Sequence, residues 1–137
     1  MINLIGILVV THGTLSKSLL ETARMFVNDS EAIEFVCFTE GQGVEDLRDS
    51  VREKLKEMAA CQSILCFADI PGGSPARVLT EMLIENSKLE LITGVNLPMI
   101  VEAILSRKTM DKKSLVEYLV DSSRSSINDI GQIVRNH

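Results

Sequence analysis

The chain has 137 residues, which suits one domain with a single core. Hydrophobic residues make up 45% and charged residues 24%, and the formal net charge of −5 argues against nucleic acid or an anionic membrane surface as the main partner. No apolar run reaches the roughly 18–20 residues of a membrane span, and the first apolar run lacks the basic leader of a signal peptide.

Aromatic residues are 4% and there is no Trp, so the core is expected to be aliphatic. Cys37, Cys61 and Cys66 form no CxxC pair and have no neighbouring histidines, so no metal or other cofactor is expected. Cys37 and Cys66 lie in apolar, strand-like runs and read as core filler. Cys61 falls in a predicted loop, and the simplest compartment is the cytoplasm.

Leu4 to Val10 is a continuous β-branched and aliphatic run, the pattern of a strand buried on both faces, and it stops at Thr11-His12-Gly13. Thr14 or Ser16 is placed to cap a helix over Leu15–Val27, whose inner face would carry Leu15, Leu19, Leu20, Ala23, Met25 and Phe26. Ala32–Phe38 reads as a second strand and Gly41-Gln42-Gly43 as a loop. A helix from Val44 to about Ala59 follows, with the stripe Val44, Leu47, Val51, Leu55 and Met58. Ser63–Ala68 is the third strand, ending at Asp69. After Pro71-Gly72-Gly73, Ser74 as N-cap and Pro75 as first helical residue open a helix to about Asn86. Lys88–Thr93 is the fourth strand, Met99–Leu105 a helix, 106–113 a loop and Ser114 to about Asn128 the last helix. Ile133 and Val134 in the tail Ile130–His137 suggest a short edge strand over Gly131–Arg135. No repeat or domain boundary is visible, so 1–137 reads as one domain.

Strands alternating with helices predict an α/β fold: an open, doubly wound, mostly parallel sheet in the order 2-1-3-4 with helices on both faces. The chain then reverses across the sheet between strands one and three, and the crevice outside their carboxyl ends carries His12 and Asp69. A carboxylate accepting the Nδ1 proton of an imidazole fixes the tautomer and leaves the Nε2 lone pair facing out. Two helix N-termini aimed at the same crevice favour an anion, phosphate in particular. Gly72 and Gly73 would let backbone approach that anion, and Thr11 and Ser74 would offer hydroxyls. A nucleophilic imidazole beside an anion cradle is what a phosphohistidine carrier requires. Plainer readings stand beside each assignment: His12 as a strand terminator, Asp69 as a loop cap, Ser74 as an N-cap, Gly72-Gly73 as turn residues and Thr11 as a backbone hydrogen-bond partner.

The segments THG, DIPGGSP and GVNLPMIVEAIL, in this order and spacing, resemble the IIA component (EIIA) of the mannose, fructose and sorbose family of the sugar phosphotransferase system (PTS), over essentially the whole chain. The resemblance implies that His12 takes a phosphoryl group on Nε2 from phosphorylated HPr and passes it to an EIIB subunit. EIIB would then phosphorylate sugar with the membrane EIIC and EIID components. It also implies that Asp69 orients His12, and that Thr11, Ser74 and backbone around Gly73 hold the phosphoryl oxygens. The implied assembly is a homodimer exchanging an antiparallel edge strand, here Gly131–Arg135, with no EIIB domain fused to the chain. Rival readings are a IIA-like phosphocarrier for dihydroxyacetone kinase, a regulatory phosphohistidine protein, a receiver-like module and a hydrolase with His12, Asp69 and Ser74 as a triad. A receiver would need clustered acids after the first strand, and a hydrolase a nucleophile elbow.

Overall fold

A computed structural model describes residues 4–136. The elements alternate as expected: β1 (Ile5–His12), α1 (Leu15–Ala23), β2 (Ile33–Phe38), α2 (Val44–Glu57), β3 (Ser63–Ala68), α3 (Ser74–Glu85), β4 (Leu89–Thr93), α4 (Leu97–Ser106), α5 (Lys112–Ser125) and α6 (Ile130–Arg135). The four strands form one parallel sheet in the order β2-β1-β3-β4.

β1 is central, and its apolar run divides between the two faces by the strand's period of two. Ile5, Ile7 and Val9 pack with Leu20, Ala23, Ile100, Ala103, Leu115 and Leu119, so α1, α4 and α5 cover one face. Leu8 and Val10 pack with Leu47, Val51, Val78, Leu79 and Met82, so α2 and α3 cover the other. This is the doubly wound arrangement, and the chain reversal between β1 and β3 opens the crevice at their carboxyl ends. Gly6 is needed on the α2 side, because a Cβ there would meet Cys61 Sγ and Met58 Cε at 2.8 Å. Cys61 lies in the loop between α2 and β3, as expected, and is buried there.

At the opposite end of the sheet, Arg107 is 1% exposed. Its guanidinium donates to Ile5 O at 3.0 Å, Glu31 O at 2.6 Å and Asp29 Oδ2 at 3.0 Å. One side chain after α4 thereby joins the start of β1 to the loop that leads into β2. Burial raises the Asp29 carboxyl, but hydrogen bonds from Arg107 and the Glu31 N–H, with the nearby charges of Arg107 and Lys108, hold it below the usual carboxylate range.

Three expectations are corrected. α1 ends at Ala23, because the N–H groups of Met25 and Phe26 fold back on Thr22 O and Ala23 O in a tightened last turn. Met25 and Phe26 are therefore exposed, as Leu15 is, rather than on the helix's inner face. The final long helix begins at Lys112, not Ser114, since Asp111 Oδ1 accepts the Ser114 N–H at 2.8 Å. Finally, residues 130–135 are helical and not an edge strand; Asp129 Oδ1 accepts the Gln132 N–H at 3.0 Å and nucleates a turn. His137, the end of that expected tail, lies outside the described residues.

Candidate functional site

The crevice at the carboxyl ends of β1 and β3 brings His12 and Asp69 together from 57 residues apart. Asp69 grips His12 twice. Its Oδ2 accepts the His12 backbone N–H at 3.0 Å, and its two carboxylate oxygens lie 3.0 and 3.2 Å from His12 Nδ1. The Asp69 side chain is 12% exposed and the His12 side chain 45%. An anchored carboxylate thus holds the inner nitrogen of an imidazole whose ring reaches solvent. Burial raises the Asp69 carboxyl, but the Ile70 and His12 N–H groups and the His12 ring outweigh it and hold the group below the usual carboxylate range. A carboxylate that stays ionised fixes Nδ1 as the donor, and Nε2 keeps its lone pair.

The loop after β3 is shaped around this pair. Ile70-Pro71-Gly72-Gly73 has proline second, a glycine at φ +78° third and a Gly73 N–H to Ile70 O bond of 3.0 Å, the marks of a type II turn. Gly73, not Ser74, is the N-cap of α3, and Ser74 is its first helical residue, with no side-chain capping bond. This corrects the expected cap. Gly73 also has no N–H to spare for an anion. Its contribution is a missing side chain: a Cβ there would sit 2.9 Å from His12 Cε1. The α3 N–H groups without an intrahelical partner begin at Ser74, and Pro75 has none. The donors left at the start of α3 are therefore the Ser74 N–H and hydroxyl and the Ala76 N–H, of which Ser74 is half-buried and Ala76 buried.

Thr11 takes the plainer of its two expected roles, as a hydrogen-bond partner of backbone. It is 0% exposed, and its Oγ1 accepts the Ser16 N–H at 2.7 Å. Thr14, at the N-cap position of α1, makes no side-chain bond, so Thr11 does the capping from the end of β1. The loop after β4 supports Asp69 from behind. The Gly94 N–H donates to Asp69 O at 2.8 Å, the Val95 N–H to Ala68 O at 3.1 Å, and Asn96 Oδ1 accepts the Met99 N–H at 3.0 Å to cap α4. Gly94 adopts φ +77°, a conformation L side chains rarely take. The GVN part of GVNLPM is thus a brace for the carboxylate that holds His12.

Phe38 was not singled out in the sequence. It is the last residue of β2, in register with His12, and its ring centroid lies 6.0 Å from that of the imidazole at 57°. The signal was available in the predicted strand order, which sets the ends of β1 and β2 side by side. For a hydrolase triad, the His12 ring would have to bond Ser74. Its ring partner is Asp69, and no hydrogen bond among the described residues joins it to Ser74.

Known proteins resemble this chain along most of its length. Residues 6–120 match the family described as PTS system fructose IIA component, EIIA-man. The chain is 29% identical over 124 residues to the mannose-specific EIIAB component of Escherichia coli K12, covering 90% of this chain and 38% of that protein. It therefore spans well under half the length of that relative. It is 26% identical over 123 residues to the fructose-specific EIIA component of Bacillus subtilis, covering 90% of this chain and 84% of that one. Among solved structures, a PTS IIA protein associated with the fucose utilization operon of Streptococcus pneumoniae superposes with a TM-score of 0.88 at 25% identity, covering 98% of this chain and 99% of that one. The EIIA component from Streptococcus agalactiae gives 0.85 at 26% identity, over 93% and 98%. With its family match spanning residues 6–120 and its fold shared with these structures, the protein belongs to the EIIA-man family of phosphotransferase-system IIA components.

Proposed function

We propose that this chain is a cytoplasmic phosphohistidine carrier that accepts a phosphoryl group from phosphorylated HPr on His12 Nε2 and passes it to an EIIB subunit, with EIIC and EIID acting downstream. The observation that carries the reading is the Asp69 carboxylate on His12 Nδ1 beneath an exposed ring. In the forward step the Nε2 lone pair forms a bond to phosphorus as the donor's bond to phosphorus breaks, its electron pair leaving with the donor. His12 then carries a positive ring with its proton on Nδ1, and the neighbouring carboxylate balances that charge. The Ser74 N–H and hydroxyl at the start of α3 face the phosphoryl oxygens, favoured by the helix dipole. Gly73 keeps the imidazole's space open, and Thr11 holds α1 in place through Ser16. The reverse of the same step, with EIIB as acceptor, needs no water and no cofactor.

In keeping with a carrier that works outside the membrane, no helix among the described residues is long and apolar enough to cross one. The reading also includes a homodimer. β4 is an open sheet edge, and beside it a groove of about 360 Å³ runs past Leu91, Thr93, Val116 and Val120. Ser123 lines this groove with a buried hydroxyl that has no hydrogen-bond partner among the described residues, and the tail beyond exposes Ile127, Ile130, Ile133 and Val134. The tail of a second copy would cover both.

The test is incubation with phosphoenolpyruvate, enzyme I and HPr. The expected product is an acid-labile, base-stable adduct on the peptide containing His12, absent in His12→Ala. A His12→Ala chain that is still labelled contradicts the assignment. Transfer of the label to a dihydroxyacetone kinase rather than to an EIIB would favour the alternative carrier role, and transfer to neither a regulatory one.

A further inference from the structure

We infer that Phe38 is a positioning residue for His12, holding the imidazole in the orientation from which Nε2 reacts. The inference rests on the phosphocarrier reading above and adds a residue to it. Three contacts surround the ring. Asp69 takes Nδ1, the Gly73 backbone lies against the Cε1 edge, and Phe38 supplies a tilted aromatic ring 6.0 Å away, within the range of a favourable aromatic pair.

Phe38 is itself held on two sides. Its carbonyl accepts the Gly13 N–H at 2.8 Å, which ties the chain just after His12 to the end of β2. Its side chain packs partly against the core on the α2 and α3 side of the sheet. The ring is therefore fixed to the scaffold and not to a mobile loop tip. Asp69 constrains one corner of the imidazole but leaves the ring able to tip about that corner, and a fixed aromatic neighbour opposes the tipping. A contact that holds the ring in its reactive orientation acts on the transfer step and not on docking of the partner.

The experiment is single-turnover transfer from excess phosphorylated HPr to the full chain carrying Phe38→Leu, Phe38→Met or Phe38→Tyr, read by rapid mixing as the limiting rate (kcat) and the half-saturating donor concentration (KM), with melting curves alongside. Leucine and methionine keep apolar volume and lose the ring; tyrosine keeps the ring. The expected result is a fall in kcat of about two- to tenfold for Leu and Met, the span such an aromatic pair supports, with KM unchanged and recovery in Tyr. Methionine serves as the second variant if leucine fails to fold. Unchanged kcat in the ring-less variants overturns the inference, as does a rise in KM alone, which would make Phe38 a docking residue. A loss that follows melting temperature and is not recovered by Tyr overturns it too. Failure of the unsubstituted chain to take label would instead overturn the carrier reading beneath it.

Discussion

At the scale of single residues, Asp69 and Gly73 control the same ring by opposite means. Asp69 contributes a charge-bearing acceptor on Nδ1, and Gly73 contributes the absence of an atom beside Cε1. Asp69→Ala is expected to slow phosphoryl uptake at least about tenfold, equivalent to about 1.4 kcal/mol in the barrier, while the domain stays folded. Rapid-mixing kinetics with unchanged rates would remove Asp69 from the mechanism. Gly73→Ala places a methyl 2.9 Å from His12 Cε1, and its neighbour on the other side is the Ile70 carbonyl at 3.3 Å, so it is the imidazole that must turn. The same kinetic assay should show slower uptake with a melting temperature close to that of the unsubstituted chain. His12 and Asp69 were legible in the sequence because each follows a buried strand and the strand order joins them. The role of Gly73 was not, because a β-turn uses its N–H and only coordinates reveal which ring abuts it.

At the scale of elements, the site depends on how each helix begins. α1 starts under Thr11, whose Oγ1 takes the N–H of the fully buried Ser16. Thr11→Val would leave that donor without a partner in the interior, at a cost of about 1–3 kcal/mol. Thr11→Ser should retain most of the stability, and urea unfolding of the two variants measures the difference. The long elements were readable because their apolar spacing is unambiguous: the double-sided run of β1, the stripe of α2 and the Pro-led start of α3. The tail was misread for a physical reason. Ile130, Ile133 and Val134 are β-branched and invite a strand, but their spacing of three and four suits a helix, and Asp129 caps one. Similarly, Met25 and Phe26 continue the apolar count of α1, yet the last turn tightens there to bonds three residues back and turns both side chains to solvent.

At the scale of the whole molecule, the two ends of the sheet divide the work. The carboxyl end holds His12, and the other end is tied by Arg107, bonded to the first residue of β1 while His12 is the last. Removing this buried guanidinium leaves the Ile5 and Glu31 carbonyls and the partly exposed Asp29 carboxylate without their donor, at a cost of about 1–3 kcal/mol. Arg107→Met should lower stability on that order in chemical denaturation while leaving phosphoryl uptake per folded molecule unchanged. Both Asp29 and Asp69 are held below the ordinary carboxylate range in the folded chain. Their contribution to stability is therefore present above the unfolded carboxyl value of about 3.9 and lost as pH falls through their lower folded values. Asp29→Asn should lower stability at neutral pH and flatten its decline below about pH 4, as urea unfolding across that range would show.

The most direct test of the account is which nitrogen of His12 carries phosphorus. Long-range ¹H–¹⁵N spectra of the phosphorylated, ¹⁵N-labelled chain should show the phosphoryl group on Nε2 and a proton on Nδ1, bonded to Asp69. Phosphorus on Nδ1, or on His137, would contradict an account in which Asp69 occupies the inner nitrogen and leaves the outer one to react.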